Sequence, residues 1–380
     1  MAKGKICFLS TVDPLDQRSW SGITYHMFKT LAGEYEVYWP GPVVFPKWGR
    51  RLYKIWELWN QLTNRKFTTH NRLYSILSAI TIQRQIRNQH FDYIVVGAGE
   101  PELIAFLKTA IPIIYAADTT FARMVNYYPW HTGLCRTAIK QGNSIEKRVI
   151  DKSSQIMFSS EWAAESAIDI YGANEKKITI APFGPSLNSV PDRQIILDKT
   201  LQKDCRMLFL GSNWERKGGL IAYEVFNQLK ASGLQCSLTI VGCEPNLSLD
   251  NECHIIPYLD KNNPAELLAL YNIFMATDIL ISPSRADCTP VAYSEAAAFG
   301  IPVFTSDTGG ISSIVLNGKN GFCLPYDAAP EAFSASIRKL WLSPNEFRQL
   351  SISSRLEFET RLNWEKWLEK FNRAIVSPDK

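Results

Sequence analysis

Short apolar runs of strand type alternate with helix-type segments along all 380 residues, and this alternation restricts the fold more than any other feature. Runs at 6–10, 35–39, 93–96, 111–115, 156–159 and 178–181 read as strands, with helices expected over 23–32, 75–88, 102–109 and 161–171. The pattern lapses at Gly184-Pro185-Ser186-Leu187-Asn188-Ser189-Val190-Pro191, and residues 184–203 read as a linker. A second set follows, with strands expected at 207–210, 238–241, 254–257, 279–282, 302–306 and 322–324. Its helices are expected over 220–232 and 265–275 and after Thr289. Regular alternation of this kind implies an α/β chain of parallel sheets, and the length suits two domains. The expected division is 1–190, then 200–358, then a C-terminal helical segment 359–380 that returns to the first domain. In doubly wound sheets a ligand sits at the carboxyl ends of strands, where Ser10, Gly97, Asp118, Gly211, Gly242 and Ser284 fall.

The most specific stretch is 278–302. A strand leads into a loop with one carboxylate, Asp287, and a helix then opens that carries a second, Glu295. Thr289 suits an N-cap and Pro290 a first helical position. The amides of Val291 and Ala292 would then stand at a helix N-terminus, which can hold an anion such as a diphosphate. Gly300 and Pro302 end the helix. A ligand with hydroxyls at both ends and a diphosphate between fits this layout, and a nucleotide sugar is one.

Charge is unevenly spread. Residues 47–90 hold nine Lys and Arg against one acid, Glu57, in a chain whose formal net charge is +4. Trp48, Tyr53, Trp56, Trp59, Phe67 and Tyr74 are interleaved with them. Two readings stand side by side: contact with an anionic membrane surface or nucleic acid, and a solvated helical face whose aromatics pack inward. No reader motif for nucleic acid accompanies the segment, and no nucleic-acid partner is expected. The eight cysteines form no Cys-x-x-Cys pair, and several lie in apolar runs, so reduced, mostly buried thiols of a cytoplasmic protein are expected. The five histidines show no metal-ligand spacing, and neither metal nor cofactor is expected. Neither a signal peptide nor a spanning helix is expected.

The second half resembles the nucleotide-sugar domain of family 4 retaining glycosyltransferases, glycosyl transferases of group 1 with the two-domain GT-B fold. The likeness is carried by Phe209-Leu210-Gly211 through Trp214-Glu215-Arg216-Lys217-Gly218-Gly219, by Leu238-Thr239-Ile240-Val241-Gly242, and by 278–302 on through Thr308-Gly309-Gly310 to Asn320-Gly321. In the first half, residues 12–22, Ser160-Glu161-Trp162-Ala163 and 178–184 also match.

The resemblance implies two Rossmann-like domains facing across a cleft. It implies a metal-independent enzyme that moves a hexose from a nucleotide diphosphate sugar, UDP-glucose ahead of GDP-sugars, to a glycan or lipid-linked glycan in polysaccharide biosynthesis. Asp287 would meet sugar hydroxyls and Glu295 the ribose. Cys288, Thr289, Pro290 and Val291 would line the diphosphate, and Lys217 with Arg216 would neutralise it. Gly242 and Tyr258 would border the base, and Gly22 the small-residue loop after the first strand. Three departures stand out: Asp287 where the family usually has Glu, Ser212 where many relatives have Arg, and Asp118 where many have His. Asp118 is a candidate catalytic group with Lys217 and Asp287; a helix cap is its other reading. The alternative to an enzyme is a nucleotide-sugar-binding or scaffold protein on the same fold. The basic stretch would make the chain peripheral at the inner face of the cell membrane.

Overall fold

A computed structural model of the chain describes residues 2–97, 99–248 and 250–376. It divides into two compact units, Met1–Ala181 with Leu368–Lys380, and Pro182–Trp367.

The first unit runs β1 (Lys5–Leu9), α1 (Ile23–Ala32), β2 (Glu36–Tyr38), α2 (Lys47–Leu62), α3 (Arg72–Ile86), β3 (Tyr93–Val96), β4 (Ile113–Ala117), α4 (Phe121–Met124), α5 (Arg136–Lys152), β5 (Gln155–Phe158), α6 (Glu161–Tyr171) and β6 (Ile178–Ile180). The strands form one parallel sheet in the order β2-β1-β3-β4-β5-β6. Ile6, Cys7, Phe8 and Leu9 are all buried, as expected of a strand covered on both faces. Side-chain caps set two helix starts: Asn71 accepts from the Tyr74 N–H at 2.8 Å, and Ser160 from that of Ala163 at 3.3 Å.

The second unit runs α7 (Arg193–Asp198), β7 (Cys205–Leu210), α8 (Gly219–Ala231), β8 (Cys236–Val241), β9 (Cys253–Ile256), α9 (Pro264–Ala276), β10 (Ile279–Ser282), α10 (Val291–Ala298), β11 (Val303–Ser306), β12 (Gly321–Leu324), α11 (Pro330–Trp341) and α12 (Pro344–Thr360). Its sheet is also parallel, in the order β12-β11-β10-β7-β8-β9. The chain order reverses at β7, which lies between β10 and β8. The crevice beyond the carboxyl ends of β7 and β10 is therefore the topological switch point, where ligands bind in open sheets of this kind.

Several expectations are corrected. Residues 102–109 are not a helix: after a single 3-10 turn, Pro101–Leu103, the chain runs irregularly with Leu103, Ile104, Ala105 and Leu107 all buried. An apolar run buried all round has no helical face to show, and the Lys152 ammonium ties down its carbonyls, at 2.9 Å for Ile104 O. Residues 184–203 are not a free linker. Leu187 is buried in the second unit, Ser294 Oγ donates to Phe183 O at 2.8 Å, and Arg355 Nη1 donates to Pro191 O at 2.9 Å. The unit boundary accordingly falls after Ala181. The last helix, α13 (Trp364–Val376), is shared, with Leu368 onward assigned to the first unit. There Asn372 Oδ1 accepts from the Tyr35 hydroxyl at 2.6 Å, and Lys370 Nζ donates to Ile180 O at 2.7 Å. The last four residues of the expected 359–380 segment lie outside the described residues.

Candidate functional site

The switch point of the second unit is built by two glycines. After β7 the chain turns through 211–218, with the Gly219 N–H on Trp214 O at 2.8 Å and the Arg216 N–H on Asn213 Oδ1 at 2.8 Å. Gly218 has φ +74°, and a Cβ there would lie 2.0 Å from Pro283 O; one on Gly219 would lie 2.1 Å from the Trp214 ring. Only glycine lets this turn lie against the loop that follows β10. The Arg285 N–H then bonds Arg216 O at 2.7 Å and joins the two loops.

That junction brings Asp287 against two adjacent cations, 71 residues along the chain from Arg216. Asp287 Oδ2 lies 2.6 Å from Lys217 Nζ and 2.8 Å from Arg216 Nη1. Arg216 Nη1 also donates to Ala286 O at 2.8 Å. Lys217 and Asp287 are both buried, and the lysine stem lies over Gly211, where a Cβ would meet its Cγ at 2.8 Å. Gly242 closes the next edge: at φ +93° a Cβ would stand 3.1 Å from Gly211 O. Two cations against one carboxylate leave a local excess of positive charge, suited to an anion.

Helix α10 begins at Val291 with Pro290 as its N-cap, one residue later than expected, so Thr289 is not the cap. The physical reason is the Pro290 ψ of 120°, which is extended; the ring fixes φ but does not force a helical turn. Cys288 and Thr289 are buried just before it. The first N–H groups of any α-helix have no intrahelical acceptor, so this end of α10 presents donors beside Asp287. Glu295, only 1% exposed, meets Lys261 Nζ at 2.8 Å. Sequence reasoning missed Lys261. It lies in the loop between β9 and α9, 34 residues from its partner, and no local spacing links the two. Tyr293 lies beneath, its hydroxyl on Thr305 Oγ1 at 2.8 Å and on Ser282 O at 3.2 Å; burial pushes its pKa up to about 12. Tyr258, after β9, is exposed.

Residues 194–356 match the model of the family "Glycosyl transferases group 1". The chain carries a glycosyl transferases group 1 domain. Asp287, Lys217, Arg216, Lys261 and Glu295 all lie within it. D-inositol 3-phosphate glycosyltransferase of Gordonia bronchialis is 22% identical over 256 residues, 61% of this chain and 55% of that protein. The matched region spans little more than half the length of the first such relatives. Likeness in fold covers nearly everything. Sucrose-phosphate synthase from Thermosynechococcus elongatus superposes with a TM-score of 0.68 at 15% identity, covering 98% of both chains. Anabaena HepE in complex with UDP-glucose gives 0.65 at 13% identity, covering 98% of this chain and 99% of that one. The fold of this chain is thus GT-B, with two Rossmann-like parallel sheets.

Two expected residues lie in the first unit. Gly22, at φ +86°, is the N-cap of α1 and ends a turn in which Trp20 (φ 46°) and Ser21 (φ 56°) are also left-handed. Asp118 follows β4 and is half-buried; the N-cap of α4 is Thr120, so Asp118 is not a helix cap. A residue missed by sequence reasoning, Glu100, accepts from the Thr11 N–H at 3.0 Å and from the Thr11 hydroxyl, joining the loops after β1 and β3. Burial, with the neighbouring Glu102 charge, pushes its carboxyl up to about 8. Its position just beyond Gly97 and Gly99, at a strand end, was the available signal.

Proposed function

We propose that the chain is a retaining, metal-independent hexosyltransferase that takes glucose from a UDP-linked donor, in preference to a GDP-linked one, and passes it to a glycan or lipid-linked glycan. The observation that carries this reading is the cluster of Asp287 between Lys217 and Arg216, at the mouth of α10, with the Glu295–Lys261 pair further along the same helix. HepE was captured with UDP-glucose, and that supports the choice of donor. The relatives' names support glycosyl transfer.

In this reading the donor diphosphate takes the two cations and the first amides of α10, and Asp287 turns to the sugar hydroxyls. Glu295, held by Lys261, accepts from the ribose, while Gly242 and Tyr258 border the base. As the bond between the sugar C1 and the diphosphate oxygen breaks, negative charge grows on the leaving group. Lys217, Arg216 and the helix amides stabilise it and supply what a divalent metal would otherwise supply. The acceptor hydroxyl bonds C1 on the face the diphosphate leaves, and its proton passes to a departing phosphate oxygen. Asp118 is assigned to the positive charge that develops on the sugar, with Gly22 in the loop that approaches the substrate.

Thermal-shift titration with UDP- and GDP-sugars, followed by hydrolysis of the bound donor without acceptor, tests this. A shift with UDP-glucose and slow release of glucose that persists in chelator are expected. Binding without any turnover would assign the chain to a binding or scaffold role instead, and no shift with any nucleotide sugar would end the donor-site assignment.

A further inference from the structure

Helix α2, KWGRRLYKIWELWNQL, shows three distinct faces. Gly49, Tyr53, Trp56 and Asn60 turn inward: a Cβ on Gly49 would meet Leu77 at 2.9 Å, Tyr53 packs on Tyr74 at 5.6 Å between ring centres, and Trp56 on Phe67 at 4.9 Å. Lys47, Arg50, Arg51 and Lys54 are exposed, and Glu57 is the only acid on the helix. Between these faces runs an exposed apolar stripe: Trp48, Leu52, Ile55, Trp59 and Leu62, at alternating steps of four and three residues and 45% to 83% exposed. Helical repeat places such positions on one line along the helix. Single exposed apolar residues are ordinary, but a continuous stripe along a whole helix marks a contact surface.

We propose that this face of α2 lies in the headgroup region of an anionic lipid bilayer, the stripe inserted among the acyl-chain ends and the cations on the headgroups. Two aromatic indoles and three aliphatic side chains beside a row of Lys and Arg are the make-up of an interfacial helix. Among the described residues no helix is long and apolar enough to cross a membrane, so α2 would lie on the surface, not span it. A second copy of the chain is disfavoured, because two such faces would set four cations against four. Nucleic acid has no use for an aliphatic stripe. Beside the end of α2, Lys66 Nζ donates to Thr132 O at 2.7 Å and to Pro129 O at 3.3 Å, holding the turn that carries exposed Trp130. Lys66 therefore serves the fold. The proposal deepens the lipid-linked acceptor reading but stands on the helix alone.

The test is flotation of the full chain with phosphatidylcholine vesicles, with and without phosphatidylglycerol, at low and high salt. Intact protein should float with anionic vesicles at low salt, with a blue shift of tryptophan emission. Ile55→Ser/Trp59→Ser/Leu62→Ser should lower partitioning at least about ten-fold and abolish the blue shift. Arg50→Gln/Arg51→Gln/Lys54→Gln should lower it by roughly a hundred-fold on anionic vesicles, since each cation near such a surface counts for about a five-fold factor. All these side chains are exposed, so unchanged melting and an unchanged UDP shift should accompany the losses and keep this result separate from the donor site. An intact protein that ignores anionic vesicles at low salt overturns the proposal. So does a stripe variant that binds as well as the intact chain. Stripe-dependent dimers without vesicle binding would overturn it in favour of a second copy.

Discussion

The two units bury their carboxylates in opposite ways. In the second, Asp278 takes a two-pronged bond from Arg206, with Nη2 on Oδ1 at 2.8 Å and Nε on Oδ2 at 2.8 Å, and Asp287 and Glu295 face Lys217, Arg216 and Lys261. In the first, the hydrogen bonds go to neutral groups. Glu146 accepts from the Phe121 N–H at 3.2 Å and lies 3.2 Å from the Tyr115 hydroxyl; Glu100 accepts from Thr11. Burial pushes both of these carboxyls up to about 8. A buried charge is tolerated where a cation offsets its lost hydration; without one the group holds its proton. The second unit thus sets its buried carboxylates against Lys and Arg, while in the first Glu100 and Glu146 hold their protons.

Carboxyl-to-amide substitution should separate the two cases. The largest effect is expected at Asp278→Asn, which leaves Arg206 facing a neutral group at a position where Asp278 is nearly inaccessible. Removing one partner of a buried pair costs about 3 kcal/mol, somewhat less where the other partner is partly exposed as Arg206 is. Urea titration reads this directly, and a loss below about 1 kcal/mol would break the comparison.

Next come the donor-site pairs. Lys217→Ala and Glu295→Ala should each weaken UDP binding about ten-fold or more, the loss of one charge-assisted hydrogen bond. Asp287→Ala should act differently, because it frees both cations for the diphosphate: calorimetry should find UDP affinity maintained and UDP-glucose affinity reduced. Equal loss of both ligands would remove Asp287 from the sugar.

The parts of this arrangement differ in how readable they were. The strands were legible because Ile, Val, Leu and Phe run together in segments covered on both faces, such as Ile279–Ser282. The eight-residue interval from Asp287 to Glu295 was legible because one turn and one helix fix it locally. The ion pairs were not, since Arg216 reaches Asp287 through the pairing of β7 with β10, and Lys261 meets Glu295 only in the folded chain. Helix α5, absent from the sequence reading, hides its period by burying Gly142 against the Phe121 ring and Glu146 among tyrosines. Residues 102–109 misled for the opposite reason, being apolar without any period.

Smaller effects are expected in the first unit, and they turn on pH. For Glu146 the folded-state pKa of about 8 exceeds the usual 4.5, so between these values the folded chain binds the extra proton and stability falls as pH rises. Glu100 acts in the same direction. His131 opposes them at lower pH: burial lowers it from 6.5 to about 4, so its contribution grows with pH across that interval and is complete by about 6.5. From pH 6.5 to 8 the acids act without that opposition, and stability should fall by up to about 1.4 kcal/mol per pH unit for each. Glu146→Gln should flatten this slope, its carbonyl keeping the Phe121 N–H and its amide facing the Tyr115 oxygen. An unchanged slope in that variant would place the titration elsewhere.

The smallest effect belongs to Glu100→Gln. If the carboxyl is protonated below pH 8, the amide replaces it with nearly the same shape, and its oxygen in the place of Oε1 can take the Thr11 hydroxyl bond and the Thr11 N–H bond at 3.2 Å. At pH 6 the variant should match the parent within about 0.5 kcal/mol, the ordinary scatter of a neutral substitution. Above pH 8 the parent must ionise a group crowded by Glu102, and the variant should become the more stable of the two. The same change at Asp278 should cost stability at both pH values, because it breaks the two-pronged bond with Arg206. A sizeable loss for Glu100→Gln at pH 6 would mean that the ionised form is the one the first unit is built around, and the contrast between the two units would then fail at its weakest point.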